Sequence, residues 1–307
     1  MTLFKYYLSL FIFLVLFLGV PCVSYGAGVT RTIRVGIYNN EPKIYQDSDG
    51  KAAGVYADIL NFIAKKENWK VEYVFGLWEE GLSRLKKGEI DVLVDVAFSE
   101  DREKQFDFTK ETVLNSWGVI YVKNNSPIDS FLGLENKRIS VLKSSVYEEG
   151  REGIIQYLVA FGINAVMVEV DSYDAVLTLV DTGVADAAIV SHFFGLAHRK
   201  EYPNLRATKI FLKPTELRFA LTKGDVDNQY LIERLDYWVK KLRQGYDGYY
   251  LKSLEKYGLI ETEPQANKQA WLVPNWVLPF CLGAASAFIF SWLIKKFPRL
   301  RKKKLNS

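Results

Sequence analysis

Sulfur and imidazole are scarce in this chain of 307 residues, which has two cysteines, two methionines and two histidines. Cys22 and Cys281 both lie in apolar terminal segments, so the stretch between them has no disulfide available. His192 and His198 are six positions apart and make no ligand pair, and no metal cluster or other cofactor is expected. No Ser-His-Asp order suited to nucleophilic catalysis runs through the middle of the chain. A strong excess of one charge is missing too. The formal +4 depends on seven basic residues near the C-terminus and Lys5, and without them the rest stands at about −4. That balance argues against a nucleic-acid partner.

What is present begins with two uncharged runs. Residues 6–20, YYLSLFIFLVLFLGV, follow a single lysine and lead to Ser24 and Gly26, a small-residue pattern suited to signal-peptidase cleavage before Ala27. The expectation is a signal peptide over 1–26, with a retained anchor as the alternative. Residues 276–294, WVLPFCLGAASAFIFSWLI, have the length needed to cross a bilayer. Trp271, Trp276 and Trp292 sit near the edges of that run, and KKFPRLRKKK follows it. This pattern predicts a transmembrane helix over 276–294 and a basic cytoplasmic tail over 295–307. The part between would lie in the periplasm or outside the cell, tethered to the cytoplasmic membrane.

Between the runs, strand and helix patterns alternate. TIRVGIY reads as a strand, and Asp49-Gly50 as a tight turn. Val55, Ile59, Leu60 and Ile63 recur at helical spacing. KVEYVFG is a strand, WEEGLSRLKKG a short helix opened by Trp78, and IDVLVDVA a strand. A second unit of the same kind follows, with a strand at KRISVLK, a helix expected to start at Ser144 or Ser145, and further strands at NAVMVEV and VADAAIV. The order predicts two α/β lobes with parallel sheets, one over 28–123 and 217–260, the other over 124–216. Strands near 117–124 and 217–222 would join them, and ligands of such sheets bind beyond the carboxyl ends of the strands.

The segments IRVGIYNNEPKIYQDSDGKAAGVYADIL, WEEGLSRLKKGEIDVLVDVAFSEDREKQFDFTKE, KRISVLKSSVYEEG, VDTGVADAAIV and QGYDGYYLKSLEKYG occur in the order of a known family. Over about residues 32–258 the chain resembles the bacterial extracellular solute-binding proteins of family 3, which have the two-lobed type II periplasmic binding fold. It resembles in particular the versions that serve as sensory domains of membrane-bound kinases and cyclases. The resemblance implies a ligand carboxylate clasped by Arg102, three residues after the hydroxyl of Ser99, with Ala97 and Phe98 ending the strand before them. A guanidinium presents a planar fork matched to a carboxylate; the bland alternative is a surface arginine paired with Glu100, Asp101 or Glu103. The resemblance places Ser145 at a helix N-terminus in the second lobe, with Ser144 where the family usually has glycine. Trp78 and Asn40 are further candidates for the pocket wall, and Asp95 either faces the cleft or pairs with a nearby cation. Amino-acid binders often end the DAAIV strand with an acid for the ligand's ammonium, and here that position is Ser191, followed by His192.

These features predict a membrane-anchored binding protein for a small polar, carboxylate-bearing, amino-acid-like metabolite, acting in sensing or in delivery to a separate signalling or permease partner. The alternatives are a binding subunit of an ABC transporter or a truncated sensor. An enzyme of the dehydratase kind found on this fold is the remaining option, and the chain is expected not to be one.

Overall fold

The computed structural model describes residues 30–151 and 153–260. The expected signal peptide, transmembrane helix and basic tail all lie outside the described residues. Among the described residues no helix is long and apolar enough to cross a membrane.

The first lobe is built on a sheet with the order β4-β1-β5-β13-β6. Strand β1 (Arg31–Ile37) runs parallel to β4 (Trp69–Phe75), with Arg31 opposite Trp69 and Ile37 opposite Phe75. On its other side it runs parallel to β5 (Val92–Ala97). All six residues of β5 are buried, because the sheet is covered on both faces there. The helix α1 (Val55–Glu67) buries Val55, Tyr56, Ile59, Leu60 and Ile63 on one stripe, and Asn68 closes it in the left-handed conformation. The helix α2 (Trp78–Lys86) follows β4. A small hairpin of β2 (Tyr45–Gln46) and β3 (Ala52–Ala53) carries the expected turn, with Gly50 at φ 76°.

The second lobe has the strand order β10-β9-β11-β8-β12. Strand β9 (Arg138–Leu142) is flanked in parallel by β10 (Val166–Val170) and β11 (Ala187–Ser191). The helices α4 (Ile154–Phe161) and α5 (Tyr173–Asp181) belong to this lobe, which a short α6 (His192–Ala197) completes. The two lobes share one device. Arg34 of β1 clasps Asp91 and the Gly88 carbonyl, at 2.6 and 2.9 Å. Arg138 of β9 does the same to Asp186 and the Gly183 carbonyl, at 3.3 and 3.1 Å. Each arginine ties the turn before a central strand to the strand beside it.

Neither sheet is purely parallel. The strands that cross between lobes run antiparallel to the rest. β8 (Gly118–Lys123) pairs antiparallel with β11 and with β12 (Leu205–Phe211), so residues 118–123 belong to the second lobe rather than the first. β13 (Thr215–Thr222) returns to the first lobe, antiparallel to β5, β6 (Phe106–Phe108) and β7 (Leu114–Ser116). The crossings therefore fall at Trp117 and at residues 212–214. They are tied to each other: Thr215 Oγ1 donates to the Ser116 carbonyl at 3.3 Å, and the Leu212 N–H to the Gly118 carbonyl at 2.9 Å. The long helical stretch expected after residue 225 is two helices, α7 (Asn228–Arg243) and α8 (Tyr249–Lys256). Gly245 at φ 94° and Gly248 at φ 61° break it, conformations that cost glycine little.

Candidate functional site

Beneath the cleft, on the first-lobe side, lies a buried ion pair. The Lys43 ammonium sits 2.7 and 2.9 Å from the two Asp95 oxygens, and the two side chains are 2% and 0% exposed. The Tyr38 hydroxyl and the Asn40 amide also donate to Asp95 Oδ2, at 2.9 and 2.8 Å. Asp95 is reached by a bulge. Val94 and Asp95 together stand opposite Phe219 where the register between β5 and β13 shifts. Asp95 has φ 58° there, a left-handed conformation that aspartate tolerates better than most residues. The bulge turns the carboxylate out of the strand's alternation, so Asp95 both pairs with a cation and lines the cleft. Burial pushes the Asp95 carboxyl up and the Lys43 ammonium down, against their mutual attraction.

Arg102 stands on the one-turn helix α3 (Glu100–Glu103), whose N-cap is Ser99: the Ser99 hydroxyl accepts from the Arg102 N–H at 3.2 Å. The guanidinium donates to the Ala97 carbonyl at 3.1 Å and lies 5.3 Å from the Trp78 ring centroid. It also crosses the cleft and donates to the Ser144 carbonyl at 2.9 Å. The surface ion pair considered for it does not form: Glu100 pairs with Arg151 and Asp101 with Lys104. Among the described residues no carboxylate is ion-paired with Arg102.

The second lobe meets this side through one turn. Ser144 has φ 57°, which accounts for the glycine expected at that position. Its carbonyl accepts from Trp78 Nε1 at 3.2 Å as well as from Arg102, and its hydroxyl donates to Glu79 at 3.3 Å. Lys143 adds an ion pair to Glu79 at 3.0 Å. No helix starts at Ser144 or Ser145; α4 begins only at Ile154. Gly150 at φ 81° lies between, in a segment that folds as turns. Ser145 is thus not an N-cap. It is 4% exposed, and its hydroxyl has no hydrogen-bond partner.

Trp78, Ala97, Arg102 and Ser145 line a small space of about 20 Å³ between the lobes, together with Tyr38, Asp95, Tyr147 and Tyr173. A larger cleft of about 500 Å³ adjoins it and shares Arg102 and Ser145, with Ser99 and the carboxylates of Glu79, Asp101 and Glu149 on its wall. Three expected site residues lie elsewhere. Asn40 is fully buried behind Asp95. Phe98 packs edge-on against Phe108 and under the Arg218 guanidinium, 4.2 Å away. Ser191 is fully buried and caps α6 by accepting from the Phe194 N–H at 3.1 Å. Lys43 and Tyr173 went unnoticed in the sequence. Lys43 sits in a loop with no periodic signal, and Tyr173 reads as an ordinary first residue of a helix.

His192 stacks on Trp117 with ring centroids 3.5 Å apart, and its Nδ1 is 3.3 Å from the Ser116 hydroxyl at the crossing. Burial, and next the Lys43 charge, lower it to about 4, so it is neutral near pH 7 and braces the hinge. Burial raises the Tyr38, Tyr147 and Tyr173 hydroxyls, which keeps all three neutral.

Two α/β lobes joined by a pair of crossing strands, with polar groups from both converging on the space between, define a cleft-type binding protein. A profile of the bacterial extracellular solute-binding proteins, family 3, matches residues 33–260, and the chain belongs to that family. It is similar to a probable histidine-binding protein of Campylobacter jejuni, 27% identical over 42% of this chain and 50% of that one. It is also similar to a probable amino-acid ABC transporter-binding protein of Haemophilus influenzae, 27% identical over 70% of this chain and 80% of that one. The chain thus spans about half the length of the first relative and most of the second. Among solved structures, an ancestral arginine-binding protein bound to glutamine superposes with TM-score 0.64 at 26% identity, covering 74% of this chain and 97% of the other. A histidine kinase sensor domain with similarity to periplasmic binding proteins superposes with TM-score 0.65 at 26% identity, covering 74% and 96%.

Proposed function

We propose that this protein binds a small, carboxylate-bearing metabolite between its lobes and is tethered to the membrane as a sensor or as a delivery protein for a separate partner. The observation that carries the reading is the Arg102 guanidinium. It faces the interlobe space, is hydrogen-bonded only to carbonyls among the described residues, and has the Ser145 hydroxyl on the opposite wall. A carboxylate entering there gains charge-assisted bonds that the two carbonyls cannot match. It also bridges the lobes, so it favours the closed form by its differential affinity for it. The binding relatives and the sensor-domain likeness support this reading over catalysis. The uncharged run at 276–294 with its basic tail supports the tether.

The test is a thermal-stability screen of the full chain, purified in a non-ionic detergent, against amino acids and organic acids. A ligand bound only by the folded state raises the midpoint by mass action. Arg102→Ala is expected to weaken the responding ligand by about 10- to 100-fold, the worth of a hydrogen bond to a charged group. Equal stabilisation of both proteins refutes the role of Arg102. Membrane fractionation tests the tether: release of the chain by high salt or alkaline carbonate refutes it.

A further inference from the structure

The polar ties across the cleft converge on one turn of the second lobe. The Ser144 carbonyl accepts from two first-lobe donors, Arg102 at 2.9 Å and Trp78 Nε1 at 3.2 Å, and the Ser144 hydroxyl donates to Glu79 at 3.3 Å. Lys143 beside it pairs with Glu79 at 3.0 Å. Farther along the same segment Arg151 pairs with Glu100 at 3.0 Å. The segment after β9 thus grips both α2 and α3. The turn itself is braced from behind: Ser144 holds φ 57°, and its N–H donates to the buried Glu148 carboxylate at 2.9 Å.

The aromatic wall is shut as well. Tyr38 and Trp78 of the first lobe are 5% and 4% exposed, and Tyr147 and Tyr173 of the second are 3% and 5% exposed. The space that these rings line with Arg102 is about 20 Å³, room for about one water. Rings from the two lobes therefore keep one another out of water, which favours contact in its own right. Every one of these ties joins two groups of the chain itself.

We infer that this chain closes its own lobes: the turn Lys143–Ser144 is a latch seated on α2 and α3, and a ligand meets lobes already held together. The inference goes beyond the carboxylate reading and does not rest on it. The two meet at Arg102, which belongs to the latch and is also the proposed anchor. A carboxylate that takes Arg102 replaces the Ser144 carbonyl with its own bridge and adds to a closure already made.

The experiment measures the distance between the lobes in the full chain in non-ionic detergent. Nitroxides are placed by Lys87→Cys at the end of α2 and Gln156→Cys on α4, with Cys22→Ser and Cys281→Ser, and read by pulsed electron resonance. The expected result without added acid is one narrow distribution, which adding glutamine, histidine and lactate does not shorten. Lys143→Glu with Arg151→Glu sets like charges against Glu79 and Glu100, all four positions being exposed enough to spare the core. Each exposed pair is worth little alone, but reversing both turns attraction into repulsion, and a second population at longer distances is expected. Adding Glu79→Lys and Glu100→Lys swaps the pairs and should restore the narrow distribution. A parent distribution that is broad and shortens only on adding an acid overturns the inference. So does a reversed variant as narrow as the parent, or an opened one that the swap does not restore. The measurement without added acid stands apart from the carboxylate reading, which fails on its own if Arg102→Ala leaves ligand binding unchanged.

Discussion

Replacing Lys43 with methionine isolates the buried pair beneath the cleft. Methionine keeps the unbranched apolar stem and removes the charge. Asp95 would remain 0% exposed, with Tyr38 and Asn40 still donating to it. Breaking one side of a buried pair costs about 3–5 kcal/mol, because the charge left behind has no partner and no water. The two remaining donors place the expected loss near the low end, about 3 kcal/mol. The loss should also depend on pH. Without Lys43 the folded-state Asp95 pKa rises further above its unfolded value of about 3.9. The folded chain then holds a proton that the unfolded chain has released. Stability of the variant therefore falls as pH rises from about 4 toward neutrality, and its deficit against the parent widens over that range. Urea unfolding of the full chain in detergent, followed by tryptophan fluorescence at several pH values, reads this directly. Adding Asp95→Asn to Lys43→Met removes the stranded charge, keeps an acceptor, and places a residue that tolerates φ 58°. The double variant should recover about 2 kcal/mol relative to the sum of the single effects. A loss below about 1 kcal/mol for Lys43→Met, or strict additivity in the cycle, refutes the buried-pair argument.

Two further outcomes follow from the second lobe. Glu148 is buried, hydrogen-bonds the Ser144 N–H at 2.9 Å, and is raised from 4.5 to about 7, first by burial and next by the charge of Glu169. An acid raised in the folded state stabilises less as pH climbs, so stability should decline between pH 4.5 and about 7, by on the order of 1–3 kcal/mol. Glu148→Gln should flatten that part of the stability–pH curve; an unchanged slope in the variant refutes the assignment. Ser191→Ala removes the α6 cap and should cost about 0.5–2 kcal/mol in unfolding experiments. It should leave ligand affinity within about twofold, since the hydroxyl is occupied by Phe194 N–H rather than facing the cleft. A tenfold loss of affinity in that variant would show that Ser191 reaches the ligand.

Much of the lobe architecture was legible in the chain, because it rests on local signals. The stripe Val55, Ile59, Leu60, Ile63 marks α1 through helical spacing. The apolar run at 92–97 marks a central strand, and the Gly88 and Gly183 turns end with the aspartates that Arg34 and Arg138 clasp. Arg102 was visible as a guanidinium just beyond a buried strand. The expected helix at Ser145 was misplaced because capping residues and apolar residues are both present in 144–161, and only the turn through Gly150 and Gly153 delays the helix to Ile154.

The sequence by itself determined the alternation of strands and helices, the two units of βα type, and the residue types at the strand ends, since periodicity, turn chemistry and polarity act over a few residues. Tertiary structure alone decided what the cleft is made of. Lys43 and Asp95 are 52 positions apart and meet only when the loop after β1 closes over β5. The bulge that aims Asp95 exists only against β13, whose opposing residue is Phe219. The Ser144 carbonyl finds Arg102 42 positions away and across two lobes. Such contacts depend on long-range packing and on the order in which strands cross between sheets. Neither leaves a periodic trace in the chain, which is why the make-up of the binding space could be read only from the folded protein.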